Sequence, residues 1–401
     1  VSLAERDARV LWHPYTRAGS PPPLPVSRAE GAYLITEDGR RILDGISSWW
    51  VSVHGHGHPR LVAALARQAR ELDHVLFAGV THAPAVELAE RLCARTGLDR
   101  VFYSDNGSTA VEAALKMAFQ YWRNRGERRT RFLALEHAYH GDTVGAMSVS
   151  GLPLFRETFE ELLFTVDRYR GQIGDDVAAV IVEPIVQGAG GMRVHPPAFL
   201  AGLAARCRAA GTLLIADEVM TGFGRTGRMF ACEHAGVRPD LLCLAKGLAG
   251  GLLPFAATLA TAEVHDAFRG ADATFFHGHS FTGNPLGCAV ALESLRIFEE
   301  EPVLERARAI GRRLEGGLAP LRAVADVRGV GAVWAVEVPA DGGYLAGIGP
   351  RMARAALERR VLLRPLGNVL YAMPPLCLTD DEADLLARVM VDVVREVTAT
   401  R

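Results

Sequence analysis

The feature that most restricts the fold of this chain is a series of short, unbroken apolar runs. "VAAVIVEPI" (177–185), "TLLIADEV" (212–219) and "LLCLAK" (241–246) show no in-and-out alternation. Runs of this kind belong to strands buried on both faces, and therefore to a mostly parallel sheet whose crossovers are helices. "PAFLAGLAARCRAAG" (197–211) has the spacing of one such helix. The same alternation begins near residue 85: helix (83–95), strand "DRVFYS" (99–104), amphipathic helix (108–125) and strand "TRFLALE" (130–136). After about residue 300 the rhythm changes to a helix (302–318), a strand pair (324–338), a helix (349–360) and a closing helix from 379. That order predicts an α/β domain followed by a smaller α+β lobe. No internal repeat is present, and "GSPPPLPV" (19–26) reads as an extended connector.

Composition narrows the function classes. At 401 residues and 49% hydrophobic, the chain can bury a large core in two lobes. Its formal charge of −2, with no basic run, argues against a nucleic-acid partner. The longest apolar stretches, 177–186 and 252–260, are too short to span a bilayer. The opening "VSLAERDARV" carries no apolar signal core, so a cytoplasmic location is expected. Six cysteines without CxxC spacing read as buried thiols rather than as disulfides or zinc ligands.

Of 44 basic residues only Lys116 and Lys246 are lysines. A lysine amine can lose its proton and attack a carbonyl, whereas an arginine guanidinium cannot. Lys246 ends the run "LLCLAK", and Asp217 ends "TLLIAD". "RVFYS" leads into "DNGSTAVEAALK", where Gly107, Ser108 and Thr109 open a helix suited to an anion. In open α/β sheets ligands bind beyond the carboxyl ends of the strands, so these three groups share one edge. An amine, a carboxylate and a phosphate cradle are what pyridoxal phosphate requires. Taken singly, Lys246 could be an incidental surface lysine and Asp217 an ordinary cap or ion-pair partner.

Three other patterns carry less. "GFGRTG" (222–227) satisfies GxGxxG, but "DEVMT" separates it from its strand and no long helix follows. "HGHGH" (54–58) offers three histidines with no carboxylate or cysteine cluster to complete a metal site. "GHSFT" (278–282) misses the serine-nucleophile motif by one residue.

Over essentially its whole length the chain resembles the class III (subgroup II) pyridoxal-phosphate aminotransferases of fold type I. The resemblance is carried by "SDNGSTAVEAALKMA", "AYHGDTVGAMSVSG", "VEPIVQGAGGM", "IADEVMTGFGRTGRMFA", "LAKGLAGG" and "GHSFTGNPLGCAVAL". It implies a mostly parallel, seven-stranded-type sheet in a large cofactor domain (50–300). It further implies a small C-terminal α+β domain (301–401), joined by an N-terminal segment (1–49). Lys246 matches the lysine that bonds the cofactor, and Lys116 reads as structural. Gly107 and Ser108 would hold the phosphate, Tyr139 would stack on the pyridine, and Asp217 would face its nitrogen with support from Asp142. Family members are homodimers with shared active sites, in which Ser280 would reach the neighbouring subunit's cofactor.

A finer match, in "LWHPYT", "DGISSWW", "LFAGVTHAPAVELAERL" and "RPLGNVLYAMPP", is to the branch of biotin biosynthesis that aminates 7-keto-8-aminopelargonic acid. Its usual amino donor is S-adenosylmethionine. By that resemblance Tyr15, Trp49 and Trp50 wall the substrate pocket, Arg364 clamps the distant carboxylate, and Tyr371 and Arg225 lie near it. A strand "RRVLLRP" would deliver Arg364, and on a strand the adjacent tryptophans could not face the same way. His279-Ser280 stands where many S-adenosylmethionine users read Pro-Thr, and resembles a lysine-using branch. Tyr15 and Trp50 point the other way, so the donor stays open. The alternatives are another class III ω-amino-acid or diamine aminotransferase, and a non-enzymatic metal- or cofactor-binding protein built on the histidine run.

Overall fold

The computed structural model of the chain describes residues 2–340 and 347–399. Its centre is a seven-stranded sheet in the order Arg100–Ser104, Ala256–Ala260, Leu241–Leu244, Leu213–Asp217, Val177–Val182, Arg131–Ala134 and Asp167–Arg168. All pairings are parallel except those of Ala256–Ala260, which runs antiparallel to both its neighbours. The Val177–Val182 and Leu213–Asp217 strands are buried at every position, as their unbroken apolar runs require. The antiparallel strand is an addition to the sequence expectation. "LLPFAATLA" is apolar enough to be buried, but pairing direction leaves no mark on composition.

The Gly107–Asn124 helix packs against the sheet, and Pro285–Glu300 packs on Pro59–Glu71 and Ala83–Thr96. The C-terminal lobe holds a three-stranded antiparallel sheet of Asp326–Val330, Val333–Glu337 and Val369–Ala372. The Val303–Leu318, Ile348–Glu358 and Asp380–Ala399 helices pack around that lobe. A second small sheet joins Val26–Glu30, Tyr33–Thr36 and Arg41–Asp44 to Val361–Leu362, so chain from both ends meets in one layer. The strand expected across "RRVLLRP" is therefore only two residues long, and Arg364 follows it rather than lying within it.

Residues 47–50 overturn the idea that Trp49 and Trp50 sit on a strand. Ser47, Ser48, Trp49 and Trp50 have φ of +50°, +45°, +71° and +76°, a left-handed turn. Such a turn costs roughly 1–2 kcal/mol per residue for L-amino acids. Its anchors offset that strain. Ser47 Oγ donates to Met373 O, Ser48 Oγ to Asp44, the Trp50 indole to Tyr371 Oη, and Arg225 to Trp50 O.

Candidate active site

Three strand ends and one helix start converge on a cavity of about 520 Å³. Lys246 follows the Leu241–Leu244 strand with φ +29°, a constrained backbone that turns its side chain into the cavity. Burial pulls its amine below the ordinary lysine range, against the opposing pull of the charges on Asp217 and Glu183. The Lys246 Nζ stands 5.0 Å from the centre of the Trp50 ring.

Asp217 ends the neighbouring strand and is 4% exposed. Its Oδ1 accepts the Val219 N–H at 3.0 Å, and its Oδ2 lies 2.7 Å from His140 Nδ1. His140 Nε2 is buried without a protein partner. Glu183, at the end of the Val177–Val182 strand, also lines the cavity.

The Gly107–Asn124 helix begins at the same edge. Asn106 caps it by accepting the Thr109 N–H at 3.1 Å, while Thr109 Oγ1 accepts the Asn106 N–H. A cap of this kind contributes about 1 kcal/mol. The N–H groups of Gly107 and Ser108 belong to the first turn, which has no intrahelical acceptors. A Cβ at Gly107 would lie 2.6 Å from Val219 Cγ1, and one at Gly141 would lie 2.1 Å from Ser108 Oγ. Glycine is thus required where the cradle is tightest. An amine, a fixed carboxylate and an anion cradle around one cavity fit pyridoxal phosphate, and Lys246, Asp217, Gly107 and Ser108 are the residues that could hold it.

A second chamber of about 350 Å³ opens beside the first and shares Trp50, Val51, Tyr139 and Lys246 with it. Tyr15, Trp49, Phe155, Arg364 and Tyr371 are among its other walls. Tyr15 and Tyr139 both donate to Asp142 Oδ2, the latter at 2.9 Å, and their hydroxyls lie 3.0 Å apart. Burial and then the Asp142 hydrogen bond push the Tyr15 hydroxyl up to about 12, and burial raises Tyr139 further, so both stay protonated donors at neutral pH. The Arg364 guanidinium carbon lies 4.1 Å from the Trp49 ring centre and 5.7 Å from that of Tyr15. No ion-pair partner for Arg364 occurs among the described residues.

The structure therefore brings together Lys246, Asp217, Tyr139, Gly107, Ser108, Tyr15, Trp49, Trp50, Arg364 and Tyr371. Two further expected residues do not line these walls. Arg225 is not on the pocket wall: it is 1% exposed and donates to Pro374 O and Trp50 O from behind. Burial lowers its guanidinium to about 9. Ser280 sits exposed in a turn and does not line its own chain's cavity. Asp142 meets the two tyrosine hydroxyls rather than the surroundings of Asp217. Sequence reasoning assigned nothing to His140, Glu183 or Phe155. A signal for Glu183 existed, since "VAAVIVE" ends in a carboxylate at the same sheet edge as "TLLIAD".

The set-aside motifs also find their places. "GFGRTG" packs backbone to backbone on the small lobe, where a Cβ at Gly331 would lie 2.4 Å from Gly227 N. The histidine run has divergent partners: His54 Nε2 meets Ser294 Oγ, and His56 Nε2 meets Asp44, both at 2.9 Å. Lys116 donates to Phe276 O at 3.0 Å, a structural contact that holds the loop leading to Ser280.

Comparison with known proteins agrees with this geometry. The family profile described as Aminotransferase class-III matches residues 15–168 and 155–394. A protein of Synechococcus elongatus named adenosylmethionine-8-amino-7-oxononanoate aminotransferase is 50% identical, over 96% of this chain and 99% of its own. A crystal structure of the enzyme of that name from Methanocaldococcus jannaschii superposes with a TM-score of 0.93 at 37% identity, covering 98% of each chain. An amine transaminase from an uncultivated Pseudomonas species, solved in its PLP-bound form, gives 0.91 at 37% identity, covering 96% of this chain and 98% of its own. On the matched profile, the full-length identity and the fold, the chain belongs to the class-III aminotransferase family.

Proposed function

We propose that this chain uses pyridoxal phosphate to aminate 7-keto-8-aminopelargonic acid, with S-adenosylmethionine as amino donor, in the biotin pathway of the cytoplasm. The observation that carries the substrate assignment is Arg364, unpaired among the described residues and stacked on Trp49 at the wall of an aromatic chamber that shares Lys246 with the cavity. A long apolar acid with one terminal carboxylate suits such a chamber closed by a guanidinium. The name shared by the Synechococcus and Methanocaldococcus proteins supports the same acid and donor.

Bound pyridoxal phosphate supplies an aldehyde that accepts an amino group and a pyridinium that withdraws electrons from the substrate carbon. In this reading the Gly107 and Ser108 N–H groups would hold its phosphate, and Tyr139 would cover its ring. Asp217, whose two oxygens are kept in place by His140 and the Val219 N–H, would direct negative charge at the ring nitrogen. Lys246 would bond the aldehyde at rest. Burial lowers the pKa of its amine, the direction a proton carrier needs, and that amine would take a proton from the donor's amino-bearing carbon and return one to C7 of the acceptor. Tyr15, Trp49, Trp50 and Tyr371 exclude water along the alkyl chain, and Arg364 binds the carboxylate. Arg225 acts on this pocket through the Trp50 carbonyl. We take the working unit to be a homodimer in which Ser280 reaches the other protomer's phosphate.

A second reading, an amine transaminase of broader acceptor range, is supported by the equal 37% identity to the Pseudomonas enzyme. One assay separates the two: the purified holoenzyme with the keto acid and, in turn, S-adenosylmethionine, lysine and simple amines. Diamine formed from S-adenosylmethionine supports the proposal, and diamine formed only from lysine corrects the donor. Turnover of simple amines without any use of the keto acid defeats it.

A further inference from the structure

Glu183 lies at the same sheet edge as Asp217 and is 5% exposed, yet neither phosphate nor substrate binding calls for it. Both its oxygens are in use. Oε2 accepts the Tyr139 N–H at 3.0 Å and Oε1 accepts the Gly188 N–H at 2.9 Å. Those amides belong to two different loops. The first, 135–143, carries Tyr139, His140 and Asp142. The second, 184–192, carries Gly188 and places its neighbour Ala189 in the wall of the chamber. A Cβ at Gly188 would meet Met220 Cε at 2.9 Å and the Trp50 ring at 3.4 Å.

Both loops hold backbone that favours glycine at residues that are not glycine: His137 at φ +61°, Ile185 at +66° and Met192 at +52°. They also touch directly, since a Cβ at Gly190 would lie 2.3 Å from His137 O. Gln187 Nε2 adds a second tie by donating to Glu136 O at 2.8 Å. Strained loops in contact persist only where surrounding bonds over-determine them. A buried carboxylate receiving one N–H on each oxygen is such a bond, because charge-assisted hydrogen bonds are roughly twice as strong as neutral ones.

From this we infer that Glu183 is a positioning residue. Its carboxylate locks the Tyr139 loop to the chamber-wall turn, and its charge is held toward Lys246. Burial, together with the charge on Asp217, pushes Glu183 up to about 7 against the pull of the His140 ring and the two amides, so its charge is fully present only above neutral pH. Its pull on Lys246 acts in the same direction as that of Asp217. The inference rests on the cofactor-cavity reading only for the part played by Lys246, because the lock itself can be read without turnover.

The test is residue-resolved hydrogen exchange on the holoenzyme, wild type against Glu183→Gln. The variant places an amide donor against one N–H and removes the charge. Exchange at Tyr139, at Gly188 or at both should accelerate by about 10-fold or more, while amides inside Val177–Val182 stay protected. No change at either overturns the lock. Glu183→Asp, one methylene shorter, should release one of the two amides, and full protection of both would also overturn it. The pH midpoint of the bound cofactor's colour should fall in Glu183→Gln by about one unit, since one negative neighbour is gone. An unmoved or raised midpoint defeats the charge component. If neither variant folds, wild-type exchange decides: the two amides must be protected and open together, and rapid exchange at either refutes the lock.

Discussion

The cofactor cavity and the chamber beside it share Trp50, Val51, Tyr139 and Lys246 but are assembled from different lengths of chain. Apart from Trp50 and Val51, the cavity is lined by residues between 105 and 255, most of them placed directly by strand ends and one helix start. The chamber gathers Tyr15, Trp49, Phe155, Ala189, Arg364 and Tyr371, which the central sheet alone cannot hold together. Its geometry depends on a left-handed turn, on Arg225 behind it, and on the contact between "GFGRTG" and the small lobe. On the proposed function, the chemistry would sit on a rigid edge and recognition where separate elements meet. Damage to the first should harm every substrate alike, and damage to the second should discriminate among them.

The sharpest way to break this contrast is at Lys246. Lys246→Arg keeps the charge but cannot bond an aldehyde, so turnover should vanish with every donor and acceptor while the fold survives. Near wild-type rates would remove Lys246 from the chemistry. Asp217→Asn should retain cofactor yet lose on the order of 10²-fold in rate, the scale of one preorganised electrostatic contact. Both half-reactions, followed by the cofactor's colour, should suffer together, and a loss below about threefold would mean that Asp217 faces elsewhere.

Arg364→Ala should act on one side only. Arg364 is exposed, so the lost contact is scaled as a charged hydrogen bond of roughly 1.5–3 kcal/mol rather than as a fully buried pair. That corresponds to about a 10- to 100-fold rise in KM for the keto acid. The donor half-reaction should change far less, and equal losses in both would merge the two regions that the structure separates.

Tyr371→Phe leaves the buried Trp50 indole N–H without its 3.0 Å acceptor. An unsatisfied buried donor costs about 1–3 kcal/mol, readable by denaturant unfolding. Acceptor binding should weaken with little effect on cofactor affinity.

The smallest effect concerns Glu218, which accepts the Ala231 and Cys232 N–H groups at 2.6 and 2.8 Å outside both cavities. Burial raises its carboxyl from 4.5 to about 7. Between those values the unfolded chain binds fewer protons than the folded one at this site, so its contribution makes stability fall as pH rises. Unfolding curves of Glu218→Gln measured across pH 4.5–7 should show a shallower fall than wild type. An unchanged slope would place the titration elsewhere.

Much of the cavity was legible in the sequence because its information is local. A run that is apolar to its last residue and then ends in Asp217 states burial, strand and edge at once. "DNGST" states a capped helix start in the same way. The chamber was legible only through resemblance, and Trp49 and Trp50 show why. A strand would turn adjacent side chains to opposite faces, whereas the left-handed turn lets both line one chamber. Nothing in "SSWW" favours that turn, since its stability comes from Met373, Asp44, Tyr371 and Arg225, all but Asp44 at least 175 residues away. Glu183 falls between these cases, because its strand end was readable but its two amide partners were not.

By itself, then, the sequence determined the parallel sheet, the edge on which Lys246, Asp217 and the Gly107 helix start converge, and the α+β character of the C-terminal lobe. Hydrophobic periodicity and capping are short-range properties written in consecutive residues. Tertiary structure alone decided the antiparallel Ala256–Ala260 strand, the left-handed turn, the withdrawal of Arg225 behind the wall and the union of Tyr15 with Arg364 in one chamber. Each of these depends on which distant groups satisfy one another's hydrogen bonds and volume, and no local pattern encodes that.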